Sequence, residues 1–178
     1  MLISVISGEK TINKHIIEKF RVLLQNNLYM LNMDKLKVYL DNCCFNRPYD
    51  DQNNLLIFLE TEAKLFIQSL IHSNKLTLIW SFVLDYENEA NPFEERKRSI
   101  NAWKKFSTID CNLCDQIANV AENLLKTGLR QKDASHIACA IYAGANFFIT
   151  TDKKILNKQV QGINLTNPID FVRRYLNE

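Results

Sequence analysis

Glycine and proline are scarce in this chain, 4 and 3 among 178 residues. That scarcity excludes collagen-like, glycine-linker and proline-rich low-complexity architectures. Long hydrophobic runs are missing as well, since no stretch approaches the roughly 18 apolar residues of a membrane-spanning helix. The opening MLISVISGEKTINKH has a short apolar run, but no basic stretch precedes it and no small-residue cleavage pattern follows. It does not read as a signal peptide, so the expected setting is cytoplasmic, with no membrane partner. A strong excess of one charge is absent too: the net charge of +2 neither demands nor excludes a nucleic-acid partner. Nor is there a disulfide framework. Five cysteines, Cys43, Cys44, Cys111, Cys114 and Cys139, form an odd set with two adjacent members, which fits a reducing compartment. Cys111 and Cys114 make a C-x-x-C, but no second pair or paired histidines follow, so two small residues entering a helix outweigh half a zinc site.

What is present is an ordinary globular composition, 47% hydrophobic and 24% charged, long enough for one domain with a sizeable core. Residues 1–34 hold an amphipathic stretch, IIEKFRVLLQNNLYML, and are expected to form an N-terminal helical extension to a domain over 35–178. Leu36 to Asp41, LKVYLD, reads as a buried strand ending in a carboxylate. After the polar NRPYDD a helical pattern runs from Asn53 to His72, and LTLIW is the next strand. Ser81 is a natural N-cap for FVLDYENEA, and Pro92 opens a charged helix to about Phe106. A helix over about Leu113 to Lys126 stops at Gly128, and an alanine-rich helix from Asp133 to Ala143 stops at Gly144. NFFIT is a strand running into the short helix TDKKIL, INL offers a last strand, and Pro168 starts a closing helix. Strands alternating with helices predict an α/β fold with a mainly parallel sheet, whose functional crevice lies outside the carboxyl ends of the strands.

Four acids point to that edge. Asp41 and Asp152 follow strands, Glu87 lies two turns into the helix after LTLIW, and Asp133 opens the alanine-rich helix. Gathered carboxylates repel one another, so stability alone would not assemble them. A hard divalent cation offsets the repulsion, and oxygen-only ligation suits one or two Mg²⁺ or Mn²⁺ ions. Such ions can activate water and neutralise a leaving oxygen in phosphodiester cleavage, whereas no P-loop or G-x-S-x-G motif points elsewhere. Taken singly, Asp133 and Asp152 are equally well explained as helix N-caps, Glu87 as an exposed helix residue with Asp85 as its alternative, and Asp50 and Asp51 as turn formers.

The segments KVYLDNCCFNRP, SFVLDYEN, GLRQKDASHIACAIYAGANFFITTDKKIL and NPIDFV resemble the PIN-domain family, close to VapC-type toxins. The resemblance spans about Leu36 to the C-terminus and implies a three-layer α/β/α PIN-like fold with a short central sheet. It implies a metal-dependent endoribonuclease whose metal-binding and catalytic acids are Asp41, Glu87, Asp133 and Asp152, with Thr150 or Thr151 as the nearby hydroxyl. Asp85 remains the fallback for the second acid. Asn42 stands where relatives often carry a small hydroxyl residue and is expected to hydrogen-bond a carboxylate or a bound water. The resemblance further implies an RNA substrate, a cognate antitoxin that restrains the activity, and a homodimer. A non-catalytic PIN-like module binding RNA or protein is the rival from another class, and a structure-specific DNA nuclease is a second enzymatic rival.

Several residues admit two readings. Arg47, Arg130, Lys132 and Lys153 are candidate phosphate contacts, though basic clusters are more often solvated faces, and Arg47 could equally close a turn salt bridge. His136, three residues after Asp133, resembles a metal ligand, but its alanine- and isoleucine-rich surroundings favour a packed or locally hydrogen-bonded residue. Trp80 ends an apolar strand and is assigned to the core rather than to base stacking.

Overall fold

The computed structural model describes residues 35–177; the helical segment expected within residues 1–34 lies outside them. The elements run β1 (Lys37–Leu40), α1 (Asn42–Asn46), a 3-10 turn (Arg47–Tyr49), α2 (Leu55–His72), β2 (Thr77–Ser81), α3 (Phe82–Glu89) and α4 (Glu94–Asn101). A second 3-10 turn (Lys104–Phe106) leads to β3 (Ser107–Cys111), α5 (Asp115–Leu125), α6 (Gln131–Tyr142), β4 (Phe147–Ile149), α7 (Lys153–Leu156), β5 (Asn164–Thr166) and α8 (Pro168–Asn177). The five strands form one all-parallel sheet in the order β3-β2-β1-β4-β5.

That order explains why KVYL, TLIW and FFI are continuously apolar. Inner strands of a parallel sheet are covered on both faces, so alternation gives way to uninterrupted burial, and Val38, Tyr39, Leu40, Leu78, Ile79, Trp80, Phe148 and Ile149 are all sealed from solvent. Tyr39 stacks on Phe148 across the β1–β4 pair at 5.3 Å, and Trp80 packs on Phe45 at 5.5 Å. Trp80 is therefore core, as its strand predicts. Right-handed crossovers from β1 through β2 to β3 put their helices on one face, and the return through β4 to β5 puts the next set on the other. Within the second set α5 packs against α6, while α8, which follows the last strand and belongs to no crossover, packs against α2. The result is an α/β architecture with a short parallel sheet flanked by helices, as expected.

Local chemistry sets the boundaries. Asn54 caps α2 by accepting from the amides of Leu56 and Ile57, and Ser81 caps α3 by accepting from Leu84 N. Gly128 and Gly144, at φ of +80° and +70°, end α5 and α6 in the left-handed region that side chains avoid.

Two expectations require correction. The charged helix does not continue to Phe106: it ends at Asn101, and after a 3-10 turn the chain forms β3, a strand the pattern did not predict. Its segment STIDC is an edge strand with exposed Thr108 and Asp110, so it lacks the apolar run that marks the inner strands. The second concerns Asp133, which is not an N-cap. Helix α6 starts at Gln131 with Arg130 in the cap position, leaving Asp133 inside the first turn.

Candidate metal centre

In an all-parallel sheet every carboxyl end lies on one edge, and at β1 and β4 the chain departs in opposite directions. This switch point opens a crevice. Asp41 follows β1 directly, and its amide donates to Ile149 O at 2.9 Å, extending the β1–β4 ladder by one residue. The carboxylate is held by the chain that leaves β4. Thr150 Oγ1 donates to Asp41 Oδ2 at 2.7 Å, and Cys43 Sγ donates to the same oxygen at 3.2 Å. Cys43 Sγ in turn accepts from the Thr151 amide at 3.3 Å, and Thr150 Oγ1 from the Asp152 amide at 3.0 Å. Asp41 Oδ2 is thus fixed from behind while Oδ1 faces His136 Nε2 at 4.0 Å.

Glu87 reaches the same place from α3. Its Oε2 lies 2.9 Å from His136 Nε2 and its Oε1 3.2 Å from Lys132 Nζ. Burial pushes the Glu87 carboxyl up, but the His136 and Lys132 contacts outweigh it and hold the group below the usual range. Asp85 is placed elsewhere: it accepts from Trp80 Nε1 at 2.8 Å and pairs with Lys104 at 2.7 Å.

A buried hydrogen-bond chain orients His136. Its Nδ1 lies 2.6 Å from the Tyr39 hydroxyl, which lies 2.6 Å from Ser81 Oγ. Burial keeps the Tyr39 phenol protonated by raising its pKa well above the ordinary value. Ser81 Oγ accepts from Leu84 N, and with Glu87 ionised and so an acceptor only, one assignment satisfies every group from that end. Ser81 donates to Tyr39, Tyr39 to His136 Nδ1, and His136 Nε2–H to Glu87. Two readings of His136 meet here. It is locally hydrogen-bonded, as its helix suggested, yet it also lies in the cluster: ligand atoms of Asp41, Glu87 and His136 all lie within 4.8 Å of one another, a grouping in which His136 would ligate a metal only after Nε2 gave up its proton. The signal was its place three residues after Asp133, on one face of α6.

Asp133 and Asp152 stand beside this group. Burial and the charges of Asp41 and Asp152 raise the pKa of Asp133, with Arg130 and His136 opposing. Among the described residues Asp133 has no ion pair and no side-chain hydrogen bond. Asp152 caps α7, its Oδ1 accepting from the Lys154 amide at 2.7 Å, so the capping role expected of it is real. A half-buried carboxylate without a partner, in the field of two others, is the arrangement a hard cation relieves, and the oxygen-rich donor set fits a divalent ion.

Of the supporting residues, Asn42 differs from expectation and Thr150 takes the expected place. Asn42 does not reach Asp41; its side chain accepts from Asn46 Nδ2 at 3.3 Å. The hydroxyl role belongs to Thr150, reinforced by Cys43, while Thr151 contributes its amide. A donor from a distant strand has no local signature beside Asp41. Arg47 is committed to Asp50 at 2.9 Å and Glu60 at 3.0 Å, the turn salt bridge among its two readings. Arg130 and Lys132 are exposed next to the acids, and exposed Lys153 lies near enough to Glu60 for its charge to oppose the rise that burial causes in the Glu60 pKa. Replacing Thr150 by Val removes the donor that aims Asp41. Metal affinity measured by calorimetry is expected to fall by roughly 10–100-fold with the fold retained; unchanged affinity would show that Asp41 needs no such support.

No family model and no curated protein matches the chain. Among solved structures, it is similar to a chain in the crystal structure of VapBC2 from Rickettsia felis bound to a DNA fragment from their promoter, with 14% sequence identity and a TM-score of 0.47, covering 74% of this chain and 98% of that one.

Proposed function

We propose that this protein is a metal-dependent endoribonuclease, the toxin of a toxin–antitoxin pair, acting in the cytoplasm. The observation that carries the nuclease reading is the meeting of Asp41 and Glu87, delivered by separate strand–helix junctions, within 4.8 Å, beside the partnerless carboxylate of Asp133. Asp41, Glu87, Asp133 and Asp152 would hold one or two Mg²⁺ or Mn²⁺ ions. When bound, such ions supply Lewis acidity and lower the pKa of water in phosphodiester cleavage. The chain's own residues do the positioning. Thr150 and Cys43 set Asp41, and the Ser81–Tyr39–His136 chain sets Glu87. Arg130, Lys132 and Lys153 are the candidate contacts to RNA phosphates, which makes binding weaken as salt rises. In-line attack of water leaves a 3′-hydroxyl and a 5′-phosphate. The restraining antitoxin, the homodimer and the choice of RNA follow from the sequence resemblance, and the activity is assigned to the domain over 35–178.

Matched RNA and DNA strands incubated with the protein in Mg²⁺ or Mn²⁺, and again in EDTA, test this reading. Metal-dependent cutting of RNA alone is expected. Cutting of DNA alone would make it the DNA nuclease, and no cutting or metal binding would make it a non-catalytic module. Within the same assay Glu87→Gln is expected to cost at least about 100-fold, comparable to removing a group that stabilises transition-state charge. Asp85→Asn, which only loosens an ion pair that is about 40% exposed, should leave the rate within about 2-fold. The reverse ranking would transfer the second metal acid to Asp85.

A further inference from the structure

A second cavity, of about 170 Å³, lies between α1, α2 and the segment running from α4 to Trp103. Phe45, Tyr49 and Trp103 provide flat apolar walls, and Lys64, Gln68 and Ser99 add the polar groups. Among the described residues no acidic one lines it. It is separate from the acidic centre, because α1 stands between them: Cys43 turns toward Asp41, whereas Phe45, two residues on, lines this cavity. Residues two apart on a helix do not share a face.

Two of its polar groups are out of place for a cavity with only a structural role. Lys64 is 5% exposed and Gln68 4% exposed, one helical turn apart on α2. Lys64 makes no ion pair among the described residues; its contact is the Phe45 ring, whose centroid lies 5.9 Å from Nζ. Glu60, one turn earlier, is already paired with Arg47. Among the described residues Gln68 Nε2 is buried without a hydrogen-bond partner. A buried amide donor forfeits hydration unless an acceptor meets it, and an ammonium on a largely buried stem is short of it. Burial accordingly lowers the Lys64 pKa to about 8. At the rim a further cation, Arg96, lies 4.9 Å over the Tyr49 ring.

We propose that this cavity is a binding site for a small carboxylate on a flat apolar body, with Lys64 and Gln68 each donating to one carboxylate oxygen and the aromatic walls enclosing the body. Two donors on neighbouring turns match the two oxygens of a carboxylate, and the volume limits the body to about one ring. A phosphate would leave most of its oxygens against apolar carbon, where each unpaired acceptor costs free energy.

Benzoate and its neutral counterpart benzamide are the probes, titrated against the full chain at constant ionic strength by calorimetry and tryptophan fluorescence. Trp103 lines the cavity, while Trp80 is sealed in the core and serves as a silent background. Benzoate is expected to bind saturably, benzamide about 10-fold more weakly or worse, since charge-assisted bonds are roughly twice as strong as neutral ones. Lys64→Met keeps the apolar stem and should lose benzoate binding while its circular dichroism and melting stay native or improve. Absence of saturable benzoate binding, equal binding of benzamide, or undiminished binding by Lys64→Met overturns the site. Should Lys64→Met not fold, the contrast between benzoate and benzamide on the unaltered protein decides alone.

Discussion

Asp41→Asn and Asp133→Asn are each expected to reduce the proposed RNA cleavage by roughly 10³-fold, equivalent to about 4 kcal/mol of transition-state stabilisation. The size follows from what each change removes. Asp41 is the acid with its back oxygen tied to Thr150 and Cys43, so its front oxygen has one orientation to offer. Asparagine preserves the shape and removes the charge that would neutralise a cation. Asp133 contributes a carboxylate with no partner among the described residues, and nothing structural is lost when it goes. Rates measured under single-turnover conditions with Mg²⁺ or Mn²⁺ check both. Cutting that survives in both variants would show that the acids at the β1–β4 switch point are not the centre of the reaction.

Metal should also change the stability of the protein, by an amount that Asp133→Asn reduces. An ion that binds only the folded chain contributes about 2.7 kcal/mol at 100 times its dissociation constant. Mn²⁺ is therefore expected to raise the melting temperature of the unaltered protein by several degrees over its value in EDTA. In EDTA, however, the ionised Asp133 opposes folding. Its folded pKa lies above the unfolded one, so the unfolded chain loses this proton first as pH rises. The penalty is absent below the ordinary carboxylate range and complete above the folded pKa. At neutral pH Asp133→Asn should consequently melt slightly higher than the unaltered protein in EDTA and respond less to Mn²⁺. A variant that melts lower in EDTA, with an undiminished response to Mn²⁺, would mean Asp133 is a structural residue rather than a metal acid.

The inner strands were legible because burial on both faces leaves its mark on each residue, as in KVYL and FFI. Caps were legible at Ser81 and Asp152, where a short polar side chain meets the first amides of its own helix; the cap at Asn54 was not, because the helical pattern starts at Asn53. Strand β3 was not, since its edge position asks for burial at few of its residues. Asp133 looked like a cap for the same local reason that made Asp152 one; only the start of α6 at Gln131 separated them. The cavity at Lys64 had no counterpart in the pattern, because a lysine on an amphipathic helix reads as solvent-facing until a neighbouring element covers it.

Alternating apolar runs, turn residues and acids after strands determined by themselves the α/β class, the order of most elements and the four acids worth inspecting. Those are properties of residues near one another along the chain. Which acid meets which was decided only by the tertiary structure. The meeting of Glu87 with His136 while Asp85 turns to Trp80 and Lys104, the grip of Thr150 and Cys43 on Asp41, and the line from Ser81 through Tyr39 and His136 all depend on hydrogen bonds between distant segments. Such bonds are set by strand order and helix packing, and by side-chain distances of about 3 Å that no local pattern encodes.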